Sequence, residues 1–355
     1  MPRPERPLPT VLTAPSSTPP STAERVPPRL APGLGYARVL TTGVLRAAGM
    51  SPGRLRRGDL ASPGRGLRAV GAGPPARLEM LRALQETTAD GMVFSHATAA
   101  WIWGMWVPRR LGDDLTVHIS MPEGSPARPR RRGVRGHRLA TAAETTRCGG
   151  LPVTSPAWTW TDVSTLLVPW GRPEKVPAAV EERALEDVVV AGESLMQTPH
   201  GSAGRREPGE HPRCTLEDLA AAAAQRRNVR GVRLLRKALP LLRPASGSPA
   251  ESRIRLRLVA EGFPEPAMNV VLTMADGSWI MPDLVWEGPR ICLEYEGDHH
   301  RTDAAQFRAD IRRVRRLEAA GWICVRVSAD VWTGSGMQAL VDDLTGAFRR
   351  RGVRI

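Results

Sequence analysis

No run of about 18 apolar residues occurs in the 355-residue chain, so a transmembrane helix is not expected. The first residues lack the basic, apolar and small-residue order of a secretory signal. The four cysteines, Cys148, Cys214, Cys292 and Cys324, contain no CxxC pair and no regular spacing. That argues against a disulfide scaffold or a cysteine zinc site and fits a reducing cytoplasm. Lysine is nearly absent: Lys175 and Lys237 are the only two. The chain also has no ATP-binding P-loop, no Rossmann glycine fingerprint and no HExxH signature, and no nucleophile elbow supports Ser-His-Asp chemistry.

What is present is arginine. Lys+Arg is 50 against 36 Asp+Glu, a net charge of +14. The arginine fork pairs well with phosphate oxygens, so the excess suits nucleic acid. It equally suits a genome whose base composition favours Arg, Ala, Gly and Pro codons.

The pattern divides the chain into five regions. Residues 1–35, rich in Pro, Ser and Thr without apolar periodicity, read as a disordered tail. Residues 36–70 look like a small winged helix-turn-helix unit. Thr42 is expected to cap one short helix that Gly49 ends, and Ser51 with Pro52 to start a second carrying Arg54, Leu55, Arg56 and Arg57. Two short extended pieces between Leu60 and Val70 would make the wing. Residues 71–170 read as an α+β region, with a helix from Arg77, a helix from Ser95 to Gly104, a strand over 115–119 and a helix from Ser155. Trp101, Trp103 and Trp106 are assigned to the core, and His118 to a structural or surface role rather than a metal. Arg128, Arg130, Arg131, Arg132, Arg135 and Arg138 form the densest basic run, either a phosphate contact or a solvated loop. Residues 171–247 read as a helical linker region in which Thr215 and Asp218 make a capping box. Residues 248–355 form the last domain, in the order helix, three strands, helix, strand, helix.

The acids of that last domain carry the chemistry. Alternation along Ile291–Glu296 puts Ile291, Leu293 and Tyr295 on one face and Cys292, Glu294 and Glu296 on the other. Asp283 lies across a short hairpin that allows it to meet Glu294, and Glu251 on the preceding helix can add a third carboxylate. Clustered acids repel each other and are costly to bury; a hard divalent cation, Mg²⁺ or Mn²⁺, compensates them. His299 and His300 follow directly as candidate general base or acid, and Gln306 can orient water or phosphate. The same acids can also be read as a backbone cap, solvent-facing edge residues and an ordinary first-turn glutamate.

Ser248–Arg257, Pro282-Asp283-Leu284, Leu293-Glu294-Tyr295-Glu296-Gly297-Asp298-His299-His300 and Asp310-Ile311-Arg312-Arg313 resemble the DUF559-type domain, which is related to very-short-patch-repair endonucleases within the PD-(D/E)XK nuclease fold. Leu317–Trp322 and Val325-Arg326-Val327 extend the resemblance, which covers about residues 248–330. It implies an α/β, restriction-endonuclease-like core, a mixed sheet flanked by helices. Glu251, Asp283 and Glu294 become metal-side acids, and His299 or His300 matches the catalytic histidine of the short-patch-repair relatives. Glu296 stands where the family carries a lysine. More weakly, Ala47–Arg57, Ser95–Gly104 and Leu151–Asp162 resemble the winged-helix antitoxin-like region that precedes such domains in actinobacterial proteins.

Three functions follow as expectations. One is a Mg²⁺- or Mn²⁺-dependent DNA endonuclease, with Arg54, Arg56, Arg57, Arg130, Arg131, Arg132 and Arg313 on the backbone. A second is a catalytically inactive DNA-binding regulator or antitoxin-like protein, whose toxin partner one chain does not reveal. The third is an interaction module whose arginines reflect composition alone.

Overall fold

A computed structural model describes residues 38–58, 60–62, 66–70, 76–125, 129–169, 175–197, 212–296 and 304–355, without the side chains of Arg130 and residues 304–311. The expected tail, residues 1–35, lies outside them. The chain is a mixed α/β protein, and no helix among the described residues is long and apolar enough to cross a membrane.

The first unit runs β1 (Arg38–Thr41), α1 (Thr42–Ala47), α2 (Pro52–Leu55), β2 (Leu67–Val70), with β1 and β2 antiparallel. Thr41, not Thr42, caps α1. A cap residue needs extended backbone, and Thr42 is already helical; the Thr41 hydroxyl accepts the Val44 N–H at 3.1 Å. Ser51 caps α2 as expected, taking the Arg54 N–H at 3.2 Å ahead of Pro52. Of the two expected wing pieces, only the second becomes a strand among the described residues, and its partner is β1 rather than the first piece. Leu45, Leu55 and Leu67 are buried, and Val39 and Leu67 join the core of the unit that follows.

Next come α3 (Arg77–Thr87), β3 (Val93–Phe94), α4 (His96–Trp103), α5 (Arg109–Gly112), β4 (Val117–Met121), β5 (Arg130–Arg131), β6 (Val134–Arg138), β7 (Thr145–Cys148), β8 (Leu151–Thr154) and α6 (Pro156–Leu167). Among the described residues their strands form one sheet in the order β5-β6-β4-β3-β8-β7, in which β4–β6 and β3–β8 are parallel. Phe94, Ile102, Ile119 and Val153 fill its core. The Trp103 indole donates to Thr154 O at 2.9 Å, and the Trp101 ring lies under the Arg77 guanidinium at 4.9 Å.

Helices α7 (Ala178–Met196), α8 (Leu216–Ala224) and α9 (Val232–Ala238) follow, α8 with the expected Thr215/Asp218 capping box. They do not form a linker. Val188, Val189, Ala191 and Leu195 of α7 are all fully buried. Residues 187–196 of α7 are buried on every side, and α7 shares one core with Trp160 of α6, Leu219 of α8 and Leu235 of α9.

The last unit runs α10 (Pro249–Ala260), β9 (Ala267–Met268), β10 (Leu272–Thr273), β11 (Trp279–Ile280), β12 (Leu284–Trp286), β13 (Ile291–Glu296), α11 (Ala304–Ala319), β14 (Ile323–Ser328) and α12 (Gly334–Arg350). Its sheet has the order β14-β13-β12-β9, with β13–β14 parallel across the α11 crossover and the other pairs antiparallel. Of the strand expected over Asn269–Leu272 only Leu272 lies in a strand, and the strand expected over Trp279–Trp286 is split into β11 and β12. Asn269, at φ +51°, leaves extended geometry after β9, and Pro282, with no N–H to give a ladder, separates the β10–β11 hairpin from β12. An ionic clamp ties this unit to α7. Arg255, 1% exposed, pairs with Glu193 at 2.7 Å; Arg253 and Arg257 reach Glu186, and Arg253 also reaches Asp187.

Candidate functional site

Glu251 enters the site as the third residue of α10. Ser248 caps that helix by accepting the Glu251 N–H at 3.2 Å. The carboxylate Oε2 accepts two bonds of 2.7 Å, from Gly247 N–H and from the Asn269 amide. A side chain at Gly247 would crowd both carboxylate oxygens at 3.1 Å, so glycine leaves the acid its space. Asn269 supplies what sequence reading missed. Its left-handed backbone, tolerated by Asn better than by most residues, turns the amide between Ala245 O at 2.8 Å and Glu251. Glu251 is only 7% exposed. Burial first, and the Asp283 charge second, push its carboxyl up to about 7.

Asp283 sits just before β12. The pairs Leu284–Leu293 and Val285–Cys292 fix the register. Extended by one residue, that register sets Asp283 opposite Glu294, on the face shared by Val285 and Cys292, which packs toward Leu317 of α11. Asp283 Oδ2 accepts the Tyr295 N–H at 2.7 Å, and its carboxyl is raised by burial, with the Tyr295 bond and Arg313 opposing. Glu294 points at α11, where Arg313 stands 2.9 Å from its Oε1 and also donates to Met281 O at 2.6 Å. The structure therefore sets Glu251 and Asp283 within electrostatic reach of each other and gives Glu294 a guanidinium. The three acids do not draw their oxygens into one tight cluster; among the described residues, a set of three or more ligand atoms within 4.8 Å of one another occurs only at His96, His118 and His137.

Glu296 forms an ion pair with Arg326 of the neighbouring β14. His299, His300 and the side chain of Gln306 lie outside the described residues. Among the basic candidates, Arg56, Arg57 and Arg132 are exposed and Arg54 is half-buried. Arg131 donates to Thr87 Oγ1 at 3.0 Å, and the Arg130 side chain is not described. The basic run sits at the β5 edge of the six-stranded sheet. The donor set at the acid site is all hard oxygen, two carboxylates and the Asn269 amide, and burial raises both carboxyls. That chemistry fits Mg²⁺ or Mn²⁺.

No family model matches the chain. It is 26% identical over 256 residues to two Mycobacterium tuberculosis proteins, "Uncharacterized protein Rv2248" of strain ATCC 25618 / H37Rv and "Uncharacterized protein MT2308" of strain CDC 1551 / Oshkosh. In each case the match covers 72% of this chain and 81% of the relative.

Proposed function

We propose that the chain is a divalent-cation-dependent DNA endonuclease of the PD-(D/E)XK kind, hydrolysing phosphodiester bonds in a reducing cytoplasm. The observation that carries this reading is the pair of buried Glu251 and half-buried Asp283, both bonded to Asn269, one through its side chain and one through its backbone, with both carboxyls raised. Glu251 and Asp283, with Glu294 next to them, would hold Mg²⁺ or Mn²⁺. When bound, the ion supplies Lewis-acid polarisation of the phosphodiester and offsets the acids' charge. The residues of the chain do the rest. Gly247 and Asn269 orient Glu251 through its Oε2, and Tyr295 N–H orients Asp283 through its Oδ2, which leaves the second oxygen of each acid for the ion. Arg313 provides, from the helix, the fixed positive charge that Glu296 does not provide from the strand. His299 or His300 takes or returns the proton of the attacking water, and Gln306 positions that water. Arg54, Arg56, Arg57, Arg130, Arg131 and Arg132 hold the DNA backbone.

Supercoiled plasmid incubated with the full chain and Mg²⁺ or Mn²⁺ tests the reading. Nicking by the wild type that D283A/E294A lacks is the expected result. Equal nicking by both proteins, or none by the wild type, overturns it.

The Glu296–Arg326 pair favours a second reading, a DNA-binding regulator or antitoxin-like protein that cuts nothing. It expects duplex binding that weakens steeply with salt, with no cation-dependent cleavage.

A further inference from the structure

A second titratable cluster lies far along the chain from the acids. His118 sits on β4 and His137 on β6. The register pairs His137 with Ser120, so the two imidazoles are diagonal neighbours on one face of the sheet. His96, the first residue of α4, comes down onto them. The ring centroids are 3.8 Å apart for His96–His137, 5.0 Å for His118–His137 and 5.6 Å for His96–His118. One ligand nitrogen from each residue lies within 4.8 Å of the others. We propose that His96, His118 and His137 form a binding site for a divalent transition ion of the imidazole-preferring class, Zn²⁺.

Four observations support the assignment. First, His118 Nδ1 and His137 Nε2 are 3.0 Å apart, near the roughly 3.3 Å that separates two nitrogens on one tetrahedral zinc with bonds of about 2.0–2.1 Å. Second, His96 Nδ1 is engaged from the protein side, 3.0 Å from Ser95 Oγ and 3.6 Å from Asp162 Oδ2. A proton on Nδ1 leaves the Nε2 lone pair for a metal, and a carboxylate behind a ligating imidazole is the usual outer support. Third, Asp162 is itself held by Arg226, whose guanidinium stacks on Trp158 at 4.3 Å, and the His118 N–H is fixed on Thr98 Oγ1 at 2.8 Å. The supports are rigid. Fourth, His96 adopts φ +50° at the start of its helix, a costly backbone state of the sort that concentrates at functional sites.

Burial holds His96 well below its ordinary value and His118 down to about 4, and the proton that His118 Nδ1 and His137 Nε2 share across 3.0 Å must leave or move to an outer ring nitrogen when an ion binds. The charges of Arg135 and Arg226 oppose a cation; Asp162 offsets the second, and Arg135 is exposed to solvent. The rings are stacked, so at least one must turn about χ2 to aim at the ion. Imidazole donors select a softer metal than the carboxylates of the last domain do.

The test uses the full chain, stripped with chelator, dialysed against Zn²⁺ and passed through gel filtration. About one zinc per chain is expected in the wild type and in a variant with His200, His211, His299 and His300 all changed to alanine, and none in H118Q/H137Q. No retained zinc in the wild type, loss in the quadruple variant, or full retention in the double variant overturns the assignment. Zinc-edge X-ray absorption of the loaded wild type needs no variant to fold. Three imidazoles around the ion are expected; fewer, or a sulfur ligand, overturns the site.

Discussion

The acid site of the last domain and the histidine cluster of the six-stranded sheet are built by the same force with opposite consequences. Burial penalises charge, so it lifts Glu251 toward 7 and drops His118 toward 4. Both groups are driven to their neutral form. For a carboxylate, the neutral form is the one that a cation must displace. For an imidazole, it is the form that binds. A metal at the acids therefore competes with protons near neutral pH, whereas a metal at the histidines competes with them only in acid. The difference lies in residue type and support: backbone N–H groups and Asn269 hold the acids, and Asp162 with Arg226 braces the histidines.

The largest expected effect that separates the two regions is catalytic. Asp283→Asn should lower plasmid nicking by about 100-fold or more, the scale of losing a group that positions charge at the reacting centre. His118→Gln should leave nicking within a few-fold of wild type. Equal losses in both variants would merge the two regions into one site.

A denaturant series on Arg255→Met comes next. It asks what a buried acid costs once its partner is gone. Glu193 is fully buried and rests on Arg255. Leaving it uncompensated should cost about 3–5 kcal/mol. A loss below about 1 kcal/mol would mean that the clamp between α7 and α10 contributes little.

The pH dependence of stability sharpens the comparison further. Glu251 titrates near 7 in the folded protein against an ordinary value of 4.5. The folded value is raised, so the contribution of the protonated acid is fully present below about 4.5 and is lost as pH rises to about 7. In metal-free protein Glu251→Gln should remove that slope, gaining up to about 3 kcal/mol over wild type above pH 7. An unchanged slope between those limits would show that the carboxyl is not raised.

The smallest effect belongs to Asn269→Ala, which removes the bond to Glu251 and puts alanine at a left-handed φ. About 1–2 kcal/mol of lost stability is expected from thermal unfolding. Asn269→Gly relieves the backbone and should recover part of it.

What sequence reading captured was local. The Ser51-Pro52 start and the Thr215/Asp218 capping box both depend on residues within one helical turn. The alternation of β13 was also readable: Ile291 and Leu293 face α10 and α12, while Cys292 faces α11. The register that opposes Asp283 and Glu294 was one that the hairpin length allowed, and the strand pairing selects it. What escaped was set by contacts distant in the chain. Arg313 meets Glu294 only after the α11 crossover. The histidines at 96, 118 and 137 sit on three different elements, so no motif spacing announces them, and His118 taken alone reads as structural. Asn269 was hidden in an apolar run, because its left-handed turn makes sense only with Glu251 in view. The helices over 178–238 looked like a linker because charged residues crowd the first half of α7, yet its second half is buried on every side and shares a core with α6, α8 and α9.

Everything proposed for the last domain depends on Glu251 and Asp283 holding one hard cation between them. Calorimetric titration of Mn²⁺ into the full chain at fixed neutral pH, carried out in the H118Q/H137Q background to exclude the histidine site, tests this directly. One Mn²⁺ per chain is expected, with binding weakened at least about 10-fold by Asp283→Asn. Binding that ignores Asp283→Asn, or no binding at all, would contradict it.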